Sequence, residues 1–178
     1  ALGQEKKPNY VAENYTKQEV RIKMRDGLEL FTAIYSPKDT SKKYPIVMQR
    51  TPYNCAPYGP DQFKRSIAPN ETMMKEGYIV VYQDVRGRYM SDGLYDNMRG
   101  YIPNKKVKTE VDEASDTYDT IDWLVKNVAN NNGNVGTWGI SYPGYYASYS
   151  LLSGHPALKA VSPQACISDF FFDDFHHN

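Results

Sequence analysis

The chain is poor in several things, and each shortage removes a class of protein. Its 178 residues include two cysteines and three histidines, and 21 basic side chains cancel 21 acidic ones. Cys55 and Cys166 are too few for a disulfide framework and have no His or Cys neighbours at ligand spacing. They read as ordinary thiols, and no metal is expected. A net charge of zero attracts neither a polyanion nor an anionic lipid surface, which argues against nucleic acid as a partner. No run of about 18 apolar residues occurs, so no membrane-spanning helix is expected. Residues 1–8 also lack the apolar stretch of a signal peptide, and a leader already removed would leave no trace. What the chain has in plenty is tyrosine, 16 residues of it. Such rings combine apolar area with a polar tip and suit a half-wet pocket or interface.

At this length a single domain with one hydrophobic core is the default. Residues 19–35 alternate apolar and polar side chains around Asp26-Gly27, a hairpin signal. Residues 45–49 and 78–83 are short continuous apolar runs, expected of interior strands covered on both faces. Between them, residues 61–77 contain a helical stretch with Gly77 as its stop. Val111, Ala114, Tyr118, Ile121, Val125 and Val128 recur at three- and four-residue steps, which predicts one buried helix face and an acidic, solvated opposite face. Thr109 with Asp112 three residues on resembles a capping box, and residues 130–133 (Asn-Asn-Asn-Gly) tolerate the positive φ that ends such a helix. Residues 134–140 then read as a strand, about 143–153 as a tyrosine-rich helix, and 158–161 as a further strand. Alternating strands and helices predict an α/β fold with a mostly parallel sheet and flanking helices.

The segment most suggestive of chemistry is Gly139-Ile140-Ser141-Tyr142-Pro143-Gly144, where a strand passes directly into a helix. A nucleophile elbow needs a sharp turn with small neighbours. The serine oxygen then stands above the sheet, and the helix N-terminus points free N–H groups at the developing oxyanion. Pro143 is harmless in the first helical turn. The generic elbow has its second glycine two positions after the serine, whereas here Gly144 comes three after. By pattern alone, a glycine-bounded serine in an ordinary strand-to-helix turn accounts for the motif equally well.

Four stretches, however, resemble one group of α/β-hydrolases. They are Arg50-Thr51-Pro52-Tyr53, the run from Gln83-Asp84-Val85-Arg86-Gly87-Arg88 to Ser91-Asp92-Gly93, the helix of residues 112–124, and residues 133–144. In this order they resemble the X-Pro dipeptidyl-peptidase and cocaine-esterase group, above all its α-amino-acid ester hydrolase and glutaryl-7-aminocephalosporanic-acid acylase members. That family's own elbow has the form Gly-x-Ser-Tyr-x-Gly, so the displaced glycine counts in its favour. The resemblance implies a cofactor-independent serine hydrolase that cleaves ester or amide bonds through an acyl-enzyme. α-Amino acid esters or β-lactam acyl groups are the implied substrates, and an X-Pro dipeptidyl peptidase or carboxylesterase is the alternative. It further implies Ser141 as nucleophile, with the backbone N–H of Tyr142 and the phenol of Tyr53 as oxyanion donors. By residue type alone Tyr53 would be a packed turn tyrosine. An Asp-Asp pair in the family contributes a carboxylate that binds the substrate's α-ammonium group. That role would fall to Asp174 or Asp173, for which solvated or capping aspartates are the plain alternative.

Residues 84–93 are expected to shape a loop through an Asp and Arg network without touching substrate, and His155 reads as a surface histidine. In this fold the acid and histidine of the triad follow the serine on later strands. His176 and His177 leave no room for those strands, so a local triad is not expected. The chain therefore reads as the N-terminal portion of a catalytic domain, without the cap, the acid and histidine loops or the jelly-roll domain of the family. On that reading it would either need a complementing chain, being silent alone, or associate with itself. A secreted or periplasmic bacterial setting is implied by resemblance only.

Overall fold

The computed structural model describes residues 8–167. A short helix α1 (Tyr10–Asn14), capped by the Asn9 side chain, leads into strand β1 (Tyr15–Lys23). Strand β2 (Glu29–Pro37) returns antiparallel to β1, with Ile22 opposite Leu30. Gly27, at φ 94°, makes the turn between them as the Asp26-Gly27 pair predicts, and Met24 N–H donates to Leu28 O at 2.8 Å. Strands β3 (Tyr44–Thr51) and β4 (Ile79–Asp84) are the two continuous apolar runs, and every residue of β4 is buried. They lie side by side and parallel at the centre of a six-stranded sheet of order β1-β2-β4-β3-β5-β6. Strands β5 (Asn131–Ile140) and β6 (Leu158–Gln164) extend it in parallel, while β2 meets β4 antiparallel. The result is a mixed, mostly parallel sheet with flanking helices, the architecture of an α/β-hydrolase.

Side chains alternate across a strand, and the two faces of this sheet accordingly bury two cores. Ile46, Met48, Ile79 and Val81 pack with Ile121, Leu124 and Val128 beneath helix α3 (Glu113–Asn127). Val47, Val80 and Tyr82 face the other way and join Tyr15, Tyr35, Cys55, Ile67 and Met74.

Several local expectations change. The helix expected within 61–77 is confined to α2 (Glu71–Lys75), which starts just after Pro69 with Asn70 as its cap. Gly77 does stop it, since a Cβ there would lie 2.7 Å from the Tyr44 ring. Helix α3 is capped one turn later than expected. Asp112 Oδ1 accepts the Ser115 N–H at 2.8 Å and Ser115 Oγ accepts the Asp112 N–H at 2.8 Å, so the box is Asp112 with Ser115 and Thr109 lies outside it. The acidic face of α3 is not solvated as a whole either. Glu113 and Asp116 are buried because Arg50 on β3 and Arg86 just after β4 reach them, with Arg50 Nη1 2.9 Å from Glu113 and Arg86 Nη2 2.7 Å from Asp116. Val111, Tyr118 and Val125 of the expected apolar stripe are only half-buried. His155 likewise is not a surface residue. It is 7 % exposed, its ring packs on Tyr118 at 4.6 Å, and its Nδ1 accepts the Ala157 N–H at 3.1 Å.

Candidate active site

Strand β5 ends at Ile140 and helix α4 (Tyr142–Ser150) begins two residues later, so Ser141 has to reverse the chain alone. It does so at φ 60° and ψ −125°, a conformation that costs a non-glycine residue roughly 1–3 kcal/mol and persists only where the surroundings enforce it. They do so here. Ser141 N–H donates to Gln164 O at the end of β6 at 2.9 Å, and Ser141 O accepts the Tyr145 N–H at 3.2 Å. The serine is exposed.

Both glycines are steric requirements. A Cβ on Gly139 would fall on the carbonyl of Pro143, and one on Gly144 would stand 2.9 Å from both Cys166 Cβ and Gln164 O and 3.1 Å from Gly139 O. The position three after the serine is thus where α4 crosses the end of β6, which explains the displaced glycine. Tyr142 is the first helical residue, and its N–H has no acceptor within the helix. That leaves an N–H donor beside the serine.

The structure brings Tyr53 to this corner. It lies just past β3 with its N–H on Thr51 Oγ1 at 3.1 Å, it is 56 % exposed, and its ring meets the Tyr142 ring edge-on at 6.3 Å. The Tyr142 hydroxyl accepts from the Tyr95 hydroxyl at 2.7 Å and from the Met98 N–H at 3.0 Å, and donates to Asn97 Oδ1. Its ring also stacks on Tyr146 at 5.4 Å. Burial, with help from Tyr95, pushes the Tyr142 phenol above its ordinary range, so it stays protonated. These loop contacts lie 44 to 47 positions from Tyr142, and nothing local in the sequence announces them. The abundance of tyrosine was the one available signal.

Residues 84–93 form the expected Asp and Arg network. Arg86 is held by Asp116 and Asp26, Asp84 Oδ2 accepts the Tyr58 hydroxyl at 2.8 Å, and Ser91 Oγ donates to Asp84 O at 2.6 Å. Cys55 is buried, and burial together with Asp84 keeps its thiol protonated; Cys166 is half-buried and free. Asp173, Asp174, His176 and His177 lie outside the described residues. Among the described residues no group of three or more His, Cys, Asp or Glu could hold a metal ion, and no helix is long and apolar enough to cross a membrane.

A sheet of this order, with a serine exposed in a strained strand-to-helix turn, defines the class by its fold, that of the α/β-hydrolases. The family model described as X-Pro dipeptidyl-peptidase (S15 family) matches residues 26–178, and the chain belongs to that family. It is 32 % identical over 154 residues to cocaine esterase of Rhodococcus sp. (strain MB1 Bresler), which covers 85 % of this chain and 24 % of that protein. Among solved structures it resembles an aminopeptidase from a marine sediment Thaumarchaeota archaeon, with 39 % identity and a TM-score of 0.80. It also resembles an α-amino acid ester hydrolase, with 40 % identity and a TM-score of 0.78. Each of these two matches covers 97 % of this chain and 29 % of the other. The chain thus spans 24–29 % of the length of these relatives.

Proposed function

We propose that the protein containing this chain hydrolyses ester or amide bonds of α-amino acyl compounds through an acyl-enzyme on Ser141. The observation that carries this reading is the Ser141 backbone, strained and exposed at the mouth of a helix whose first N–H has no acceptor within the helix, with the Tyr53 ring against that of Tyr142. The Ser141 oxygen attacks the substrate carbonyl while a histidine base takes its proton. The carbonyl oxygen gains negative charge between the Tyr142 N–H and the Tyr53 hydroxyl. The acyl group passes to Ser141 as the alcohol or amine departs, and water then releases it. No cofactor enters this sequence of steps. Asp174, or Asp173 next to it, is proposed to face the substrate's α-ammonium group, which gives orientation as well as affinity.

Peptide cleavage next to a free α-amino group is the second reading, favoured by the likeness to the archaeal aminopeptidase. A plain carboxylesterase, without amino-group recognition, is the third. Two p-nitrophenyl esters that differ only in the α-amino group separate the first two readings from the third. On the native-length protein we expect kcat/KM to favour the amino ester by about tenfold or more, and Asp174→Asn or Asp173→Asn to remove the preference. Equal rates would leave a plain esterase. Unchanged hydrolysis by Ser141→Ala would refute the nucleophile.

We infer also that the open side of the sheet is covered by further polypeptide, whether a complementing chain or a second copy. Most of β6 is exposed, and a groove of about 360 Å³ beside it is lined by Ile46, Val47, Tyr78, Trp138 and Ala160 among others.

A further inference from the structure

We propose that Arg88 is a positioning residue that sets the two oxyanion donors relative to each other; this rests on reading Tyr53 and the Tyr142 N–H as those donors. Arg88 sits in the turn after β4, its own N–H on Val85 O at 3.0 Å. Its Nε donates to the Pro52 carbonyl at 2.9 Å, and that peptide carries Tyr53. Its guanidinium lies 4.9 Å from the centre of the Tyr95 ring, and the Tyr95 hydroxyl donates to the Tyr142 hydroxyl at 2.7 Å. One side chain thus joins the strand end that bears Tyr53 to the loop that grips Tyr142.

The contrast with its neighbours shows what Arg88 is for. Arg50 and Arg86 each face two carboxylates inside the fold, whereas among the described residues Arg88 makes no ion pair and spends its charge on one carbonyl and the Tyr89 and Tyr95 rings. A planar guanidinium can donate in its plane and stack through its face at once. An ammonium group cannot, so lysine is not an equivalent here. Tyr53 is more than half exposed, and its backbone N–H is held by Thr51 on one side only. Arg88 supplies the other hold. A shift of about 1 Å in a group that meets the transition state can cost on the order of 10²-fold in rate, so a hold on the adjacent peptide matters to catalysis far more than to stability.

The test is a double-mutant cycle on the native-length protein, followed by kcat, KM and melting temperature on a p-nitrophenyl amino ester. Tyr53→Phe comes first, because a wild-type kcat in that variant would overturn the oxyanion reading itself and this proposal with it. With Tyr53→Phe slowed by about 10²-fold, we expect Arg88→Met in the wild-type background to lower kcat by about tenfold with KM nearly unchanged. The same substitution added to Tyr53→Phe should cost clearly less, because the donor it places is gone. Wild-type kcat in Arg88→Met, or the full tenfold loss again in the Tyr53→Phe background, would overturn the proposal while leaving Tyr53 as a donor. Should Arg88→Met not fold, Arg88→Lys takes its place in the cycle under the same two criteria.

Discussion

At the scale of single residues, the site depends on backbone held in unusual places by its neighbours. Ser141 keeps φ 60° because Gly139 and Gly144 let α4 close onto the ends of β5 and β6. Gly144→Ala would put a methyl group 2.9 Å from the Gln164 carbonyl, which is backbone and cannot swing aside. We expect that variant to lose most of its kcat and about 1–3 kcal/mol of stability, the usual range for overpacking, measured by ester hydrolysis and thermal melting. Tyr142 separates backbone from side chain. Tyr142→Phe keeps the N–H and loses the bonds to Tyr95, Asn97 and the Met98 N–H. Its kcat should therefore fall less than that of Tyr53→Phe, in which the donating hydroxyl itself is removed. Steady-state rates of the two variants, measured side by side, check this order.

At the scale of elements, helix α3 is fastened to the sheet by charge as much as by apolar contact. Its cap, Asp112, is buried and accepts from the Ser115 and Ile102 N–H groups and from Lys105. Burial pushes this carboxyl up, but the Ile102 N–H, Lys105 and the Ser115 N–H outweigh it and hold it below the usual range. A lowered folded pKa gives stability that is complete above the unfolded value of about 4 and is lost as the pH falls through the folded one. The deficit of Asp112→Ala, about 1–2 kcal/mol at neutral pH, should therefore shrink below about pH 4 in melts taken across that range. Arg50 is the second fastening. It donates to Gln83, to the Glu113 carbonyl and carboxylate, and to Thr117. Burial already pushes the Glu113 carboxyl up, and Arg50 opposes that push. Arg50→Ala would leave a buried carboxylate without its cation, a loss of about 3–5 kcal/mol that thermal unfolding would show.

At the scale of the whole molecule, the sheet ends at β1 on one side and at β6 on the other, and among the described residues β6 pairs only with β5 and is mostly exposed. An open parallel edge with an apolar groove beside it favours association. The 178-residue chain taken alone should run as a dimer or larger species, and a monomeric mass by light scattering would contradict this. By itself the sequence determined the elements whose cause is local: the Asp26-Gly27 turn, the two apolar interior strands, the glycine stop of α2, and the serine between a strand and a helix. It marked Ser141, Tyr53 and Tyr142 through resemblance to a family, and the fold sets the two tyrosine rings edge to edge. Only the tertiary structure decided which charges are inside. Glu113 and Asp116 look like a solvated helix face until Arg50, 63 positions from Glu113, and Arg86, 30 positions from Asp116, are folded against them. His155 and the Arg88 bridge escaped for the same reason. Periodicity reports how a segment meets its own neighbours, whereas the burial of a polar group depends on partners that the chain delivers from elsewhere.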